Sequence, residues 1–130
     1  MKFTRIIMLT GILIILINPM TVFADELVSG RYLSAVGKEI RIELKIGTPA
    51  PSSVIVIQKL PKGTKVISSS PVAKKYNSAQ GKAKWLLSKV ISGKMAISMT
   101  LDRVISKGEV SGEIRWRNAA GKMVSVALTY

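Results

Sequence analysis

The feature that most constrains this fold is a two-residue alternation of apolar and polar side chains. The alternation is clearest in two segments, with apolar residues at Ile40, Ile42, Leu44 and Ile46 and again at Met95, Ile97, Met99 and Leu101. A period of two places alternate side chains on one face of a β-strand. Beyond residue 24 no stretch keeps the 3.6-residue period of a helix. The pattern therefore predicts an all-β domain with almost no helix.

Further strands and the turns between them set the architecture. Residues 53–60 include four successive apolar side chains, which is typical of a strand buried on both faces. A first strand with a weaker pattern is predicted within 27–34, where Tyr32 and Leu33 suit it, and further strands at 65–68, 82–90, 110–117 and 123–128. Residues 102–107 are predicted as a connection. Proline- and glycine-containing turns at 60–64 and 118–121 and a polar loop at 71–81 separate the strands. Seven or eight short strands in about 100 residues predict an antiparallel immunoglobulin-like β-sandwich.

The segment 85–101 reads as a hairpin, with Ser92, Gly93 and Lys94 as its turn. Glycine there permits the positive φ that tight turns require. Trp85 and Trp116 each share a strand face with apolar neighbours, so both tryptophans are expected in the core.

The first 24 residues have the layout of a secretory signal peptide. A basic start at 1–5 precedes an apolar run at 6–17, and Val22, Phe23 and Ala24 offer a cleavage site before Asp25. The alternative is an uncleaved membrane anchor, although a helical span needs about 20 apolar residues. We expect a signal helix at 1–24 and an exported domain at 25–130, periplasmic or at the cell surface, with no transmembrane span after cleavage.

The charge of residues 25–130 is strongly positive. Without Lys2 and Arg5, 18 basic side chains stand against 7 acidic ones, a net charge of +11. No acidic residue lies between Glu43 and Asp102, whereas ten lysines do. Lys45 is the first of them. The other nine form a possible anion-binding surface: Lys59, Lys62, Lys65, Lys74, Lys75, Lys82, Lys84, Lys89 and Lys94.

Two interpretations of these lysines remain open. A charged surface is often only a solvated face that keeps a protein soluble. The functional interpretation is attraction of an anionic polymer, such as an acidic polysaccharide, of lipid headgroups, of nucleic acid or of an acidic protein. Because lysine is a point charge without a bidentate fork, we expect no sequence-specific nucleic-acid recognition.

The residues for common catalytic chemistry are missing. The chain has no histidine and no cysteine, which removes the usual general base, the thiol nucleophile and the commonest metal ligands. No lysine follows a serine at Ser-x-x-Lys spacing. Glu109 and Glu113 would lie about 13 Å apart on one strand. We therefore expect no enzyme, no cofactor and no metal site.

The order of motifs resembles a known family. The segment Leu60-Pro61-Lys62-Gly63-Thr64 precedes a valine strand, and a strand with Trp85 leads through Gly93 into the strand of Met95 to Met99. Over roughly residues 40–101 this resembles the immunoglobulin-like conserved-repeat domain of bacterial and archaeal surface proteins. The resemblance implies a sandwich and an extracytoplasmic setting, and it carries over no catalytic residue.

Two functions from different classes are compatible with this sequence. The first is an exported, non-enzymatic module for protein–protein interaction or surface assembly, which would dock through exposed edge strands. The alternative is binding of anionic polymers or membrane headgroups through the lysine-rich surface.

Overall fold

The computed structural model describes residues 27–130, which form an all-β structure. The predicted signal peptide at 1–24 lies outside the described residues. A single 3₁₀ turn occurs within the described part, at Lys107–Glu109. The strands are β1 (Val28–Ile46), β2 (Ser53–Lys59), β3 (Val66–Ser70), β4 (Lys75–Asn77), β5 (Lys82–Ser88), β6 (Gly93–Ile105), β7 (Ser111–Arg117) and β8 (Met123–Ala127).

The strands form two antiparallel sheets. One has the order β1-β6-β3 and the other the order β4-β5-β2-β7-β8. At one end Ile46 pairs with Gly93, and Ser53 pairs with Ser88. We call this the Gly93 end. The opposite end, where Gly37 pairs with Ile105, is the Gly37 end.

Strand β1 doubles back at Gly37. Its 19 residues would reach about 60 Å if straight. Instead, the Gly47 amide donates to the Leu27 carbonyl at 2.7 Å, and the Arg31 guanidinium lies 3.3 Å from the Glu43 carboxylate. Both contacts are centred on Gly37, whose φ is +76°. The two halves of β1 therefore run side by side, and glycine supplies the left-handed conformation where the chain reverses.

The first half of β1 also contacts the end of the chain. The Tyr32 amide donates to the Thr129 carbonyl at 2.8 Å, and the Thr129 amide donates to Gly30 at 3.1 Å. Arg31 and Thr129 form a parallel bridge. The beginning and the end of the described chain therefore join the two sheets along one side.

The core lies between the two sheets and follows the predicted alternation. Ile40, Ile42, Leu44 and Ile46 from β1 and Ile97, Met99 and Leu101 from β6 are all buried. The facing sheet contributes Val54, Val56, Ala83, Trp85, Ile114 and Trp116. Both tryptophans are thus in the core as predicted. The Trp85 indole satisfies its N–H by donating to the Pro71 carbonyl at 2.9 Å. The described core residues run from Val28 to Leu128.

The predicted hairpin at 85–101 is wrong. Strand β5 pairs with β2 and β4, and β6 pairs with β1 and β3, so residues 89–92 cross from one sheet to the other. Lys89 at φ +54° and Gly93 at φ +124° turn the chain. A corner between sheets uses the same turn residues as a hairpin, and the apolar faces of β5 and β6 meet across the core instead of side by side.

Two predicted boundaries also change. The predicted polar loop at 71–81 contains the short strand β4, and the predicted connection after Leu101 continues β6 as far as Ile105. Polar side chains obscured both strands because each lies at the surface. Among residues 27–130, no helix is long and apolar enough to span a bilayer.

A buried polar network ties β1 to β2 and β7. The fully buried Gln58 donates to the Ser111 carbonyl at 3.0 Å, and its amide oxygen accepts the Tyr32 hydroxyl at 2.8 Å. Burial raises the pKa of Tyr32, so the phenol stays a neutral donor. Because a buried amide needs partners, this network fixes where the first half of β1 lies.

Candidate functional site: a basic groove on the five-stranded sheet

The outer face of the five-stranded sheet has a groove of about 660 Å³. The short strand β4 forms one side, and β5, β2 and β7 cross beneath it. The side chains that line it are Ile57, Lys74, Lys75, Tyr76, Asn77, Gln80, Lys82, Lys84 and Arg115. Five of these nine residues are cations and none is acidic.

Strand register places lysines directly opposite one another at this groove. Lys75 of β4 pairs with Lys84 of β5. Lys82 of β5 pairs with Lys59 of β2, beside the groove. Directly opposed side chains have Cβ atoms about 5 Å apart, and like charges there destabilise a sheet. Two unit charges 6 Å apart in water repel by about 0.7 kcal/mol. The fold tolerates two such repulsions on one surface.

The floor of the groove is apolar. Ile57 lies on the outer face of the sheet and yet is only 4% exposed. It is paired with Lys84 on one side and Glu113 on the other. Lysine stems can cover apolar surface while their ammonium groups stay in water. The groove therefore presents ammonium groups above an apolar floor.

Arg115 differs from the lysines because its charge is already paired. Its guanidinium donates to Glu113 at 2.6 Å, and the Ser125 hydroxyl donates to the other carboxylate oxygen at 2.9 Å. The hydrogen bonds from Ser125 and Arg115 hold the pKa of Glu113 below its usual range. Glu113 therefore stays ionised at neutral pH and neutralises Arg115.

The groove lysines have no such partners. Three ion pairs occur within residues 27–130, and an arginine makes each of them: Arg31 with Glu43, Arg41 with Glu39, and Arg115 with Glu113. Asp102 and Glu109 accept hydrogen bonds near the Gly37 end instead. Within residues 27–130 no groove lysine forms an ion pair, although the Lys59 ammonium beside the groove contributes to the lowered pKa of Glu113.

The outer face of the three-stranded sheet provides a contrast. There β1 alternates signs, with Glu39, Arg41, Glu43 and Lys45 in succession on the exposed side. On β6, Ala96, Ser98 and Thr100 follow Lys94 at the outward positions, and Asp102, Arg103 and Val104 are exposed near its end. Mixed signs of this kind are what a surface built for solubility shows. The two outer faces of the molecule therefore differ in charge.

The structure brings together five of the nine predicted lysines. Lys74, Lys75, Lys82 and Lys84 line the groove, and Lys59 lies beside it. The other four lie elsewhere. Lys62 is in the turn after β2, Lys65 precedes β3, Lys89 follows β5, and Lys94 lies on β6 in the other sheet. Charge density along the sequence could not separate these groups, because only strand register decides which lysines share a face.

Sequence reasoning missed three kinds of lining residue. Arg115 lies 31 positions beyond Lys84 and reaches the groove only because β7 pairs with β2. Ile57 was expected to be buried, but not as the floor of an outer surface. Asn77 and Gln80 lie where a loop was predicted. Residues 27–130 contain no group of three His, Cys, Asp or Glu side chains that could hold a metal ion.

Comparison of the chain with protein-family models, with curated proteins and with solved structures finds no match. The interpretation of the groove therefore rests on its geometry and charge.

Proposed function

We propose that this protein is an exported, non-enzymatic binding module whose basic groove holds a linear anionic polymer. The observation that carries the proposal is the pair of opposed lysine couples, Lys75 with Lys84 and Lys82 with Lys59, on one open surface. Directly opposed like charges cost stability, and a bound polyanion offsets that cost. Export of the domain after cleavage behind Ala24 gives it access to extracytoplasmic polymers.

The spacing of the lysines defines the class of ligand. Neighbouring strands are about 4.8 Å apart, and alternate residues on one strand are about 7 Å apart. A chain that carries one anionic group every 5 to 7 Å can meet successive lysines as it crosses the strands. Sulfated or carboxylated polysaccharides and phosphate polymers share this chemistry.

An immunoglobulin-like arrangement is part of the proposal. In that fold the first, second, fifth and fourth strands share one sheet, and the third, sixth and seventh share the other. Three features support it here. The two halves of β1 lie with β6 and β3, and β2, β7 and β8 are neighbours in the other sheet. Arg31 near the start of the described chain also forms a parallel bridge with Thr129 near its end. The chain departs from the simple immunoglobulin arrangement in one respect, because β3 of the three-stranded sheet precedes β4 and β5 of the other sheet in the sequence. The resemblance to conserved-repeat surface domains agrees with this proposal.

Matched charge variants test the polymer proposal. Lys75→Gln with Lys84→Gln removes one opposed couple from the groove. Lys45→Gln with Lys94→Gln removes the opposed couple on the other sheet and changes net charge by the same amount. Because a surface lysine contributes about 1 kcal/mol to electrostatic attraction, we expect the groove variant to bind heparin, polyglutamate or polyphosphate at least about tenfold more weakly.

Isothermal titration at low and high salt measures these affinities. The control variant should bind like the parent protein, and parent binding should weaken steeply as salt rises. If the two variants lost equal polymer affinity, the groove would not be the binding site, and net charge alone would account for binding. The three polymers distinguish sulfate, carboxylate and phosphate as the preferred anion.

A second candidate function rests on β3. This strand lies at the edge of its sheet and has no partner on its outer side within the described residues. Its sequence lacks the lysine or proline that usually protects an edge, and Ile67 is 66% exposed. A partner strand could extend the sheet there. Ile67→Lys should then abolish any self-association seen by analytical ultracentrifugation. If only the groove variant lost this association, β3 would not be the docking strand.

A further inference from the structure

A single apolar side chain projects from the Gly93 end of the molecule. Ile91 is 81% exposed, in the four-residue connection between β5 and β6. The residues on both sides of it are anchored. Val90 packs against the core, and the Ser92 hydroxyl donates to the Gly47 carbonyl at 2.8 Å. The connection therefore holds Ile91 outward in a fixed position.

Several cations lie at the same end of the molecule as Ile91. Lys89 lies two residues before Ile91, and Lys94 lies three residues after it, directly opposite Lys45. Arg117 and Lys122 border the turn between β7 and β8. That turn lies at the Gly93 end. Arg115 pairs with Ile55, and Arg117 is two residues further along β7 toward the level of Ser53, which pairs with Ser88 at this end.

Within the described residues carboxylates are few at this end, and Asp25 and Glu26 directly precede Leu27 in the sequence. The connections 47–52, 89–92 and 118–122 contain no aspartate or glutamate. The nearest carboxylate on β1 is Glu43, which is paired with Arg31 at 3.3 Å. An exposed apolar side chain at an end with more cations than anions is complementary to a surface whose outside is anionic and whose inside is apolar.

The chain also enters the domain here. The Leu27 carbonyl accepts the Gly47 amide, so residues 1–26 join at the Gly93 end. The apolar run at 6–17 precedes Leu27 in the sequence by ten residues. This end is thus the part of the domain that is covalently nearest to the segment predicted to engage the membrane during export.

We propose that the Gly93 end docks on an anionic lipid bilayer, with Ile91 inserted among the headgroups and Lys89, Lys94, Arg117 and Lys122 of the same end on the lipid phosphates. The site is separate from the groove and goes beyond polymer binding. Amphipathic surfaces bind membranes through buried apolar area together with attraction to anionic lipid. Docking here would place the axis of the sandwich upright on the membrane and leave the groove free on its side.

Binding to vesicles tests this proposal with residues 25–130. The probes are vesicles of phosphatidylcholine alone and of phosphatidylcholine mixed with phosphatidylglycerol. We expect partitioning only into the mixed vesicles, and about a tenfold loss for Ile91→Asn. Ile67→Asn is the matched control, because Ile67 is also an exposed isoleucine but lies toward the Gly37 end. Equal binding of Ile91→Asn and the parent protein would overturn the proposal.

A fluorescent variant provides a second measurement. Trp85 and Trp116 are buried, so the emission of Ile91→Trp reports a change of environment at position 91. The emission should shift to the blue with the mixed vesicles, whereas that of Ile67→Trp should not. An unchanged emission of bound Ile91→Trp would also overturn the proposal. Ile91→Asn should keep its affinity for soluble polyanions, so a failure here is distinguishable from a failure of the groove.

Discussion

At the scale of single residues, Gly81 is the position that tolerates a side chain least. Its φ is +64°, and an added Cβ would lie 2.1 Å from the Leu60 carbonyl oxygen. That carbonyl belongs to the backbone at the start of the turn after β2, and the Leu60 amide donates to Gly81 at 2.7 Å. The turn and the start of β5 are therefore in direct contact because residue 81 has no side chain.

Gly81→Ala should lower the free energy of unfolding by at least about 2 kcal/mol, since it combines backbone strain with a steric clash. The matched control is Gly63→Ala, where φ is +83° but nothing lies within 4 Å of the added Cβ. The control should cost only about 1 kcal/mol. Urea unfolding of both variants measures the difference. Equal costs would mean that the contact with Leu60 relaxes freely.

Glu113 makes stability depend on pH. Its folded-state pKa is lowered, so its contribution is complete above the pKa of the unfolded chain and disappears as pH falls through the folded value. The stability difference between the parent protein and Glu113→Gln should therefore be present at pH 7. It should shrink below about pH 4. Denaturant melts across this range check the trend, and a difference that grows toward acid would contradict it.

At the scale of strands, the Gln58 network decides how β1 meets the other sheet. Gln58→Leu removes the acceptor of the Tyr32 hydroxyl and should cost about 1 to 3 kcal/mol. Tyr32→Phe should then cost less in the Gln58→Leu background than in the parent, because the hydroxyl has already lost its partner. A double-mutant cycle by chemical denaturation measures this coupling. Strict additivity of the two costs would mean that the hydrogen bond contributes nothing to stability.

Most of the strands could be predicted from alternation alone. The apolar residues from Ile40 to Ile46 and Ile97, Met99 and Leu101 are buried as expected, and Met95 is partly buried, because one-sided burial leaves a period of two in the sequence. The pairing of the strands could not be predicted in this way. The turn residues before Gly93 fit both a hairpin and a corner between sheets, and nothing local distinguishes the two. The reversal at Gly37 was missed because both halves of β1 continue without a polar loop.

The candidate site was predictable only in part, for the same reason. The absence of acidic residues between Glu43 and Asp102 correctly located a basic region. Which of its lysines meet depends on non-local pairing, such as that of Lys59 with Lys82 across β2 and β5. Arg115 is separated from them in sequence and is paired with Glu113, so its charge differs in role from theirs.

At the scale of the whole molecule, charge is distributed by face. The three-stranded sheet carries mixed signs outward, the groove on the five-stranded sheet carries lysines, and the Gly93 end carries several cations together with the exposed Ile91. Separate anionic partners could therefore occupy the groove and the Gly93 end at the same time. Such a molecule would hold a polymer beside a membrane.

The central claim is that the groove, and not the overall charge, binds polyanions. The most direct measurement is an NMR titration of isotope-labelled residues 25–130 with a short sulfated oligosaccharide. We predict that the amide shifts concentrate on β4, β5, β2 and β7 around Lys75, Lys84 and Ile57. Shifts spread evenly over all basic residues, or centred on Lys45 and Lys94 in the other sheet, would contradict the claim.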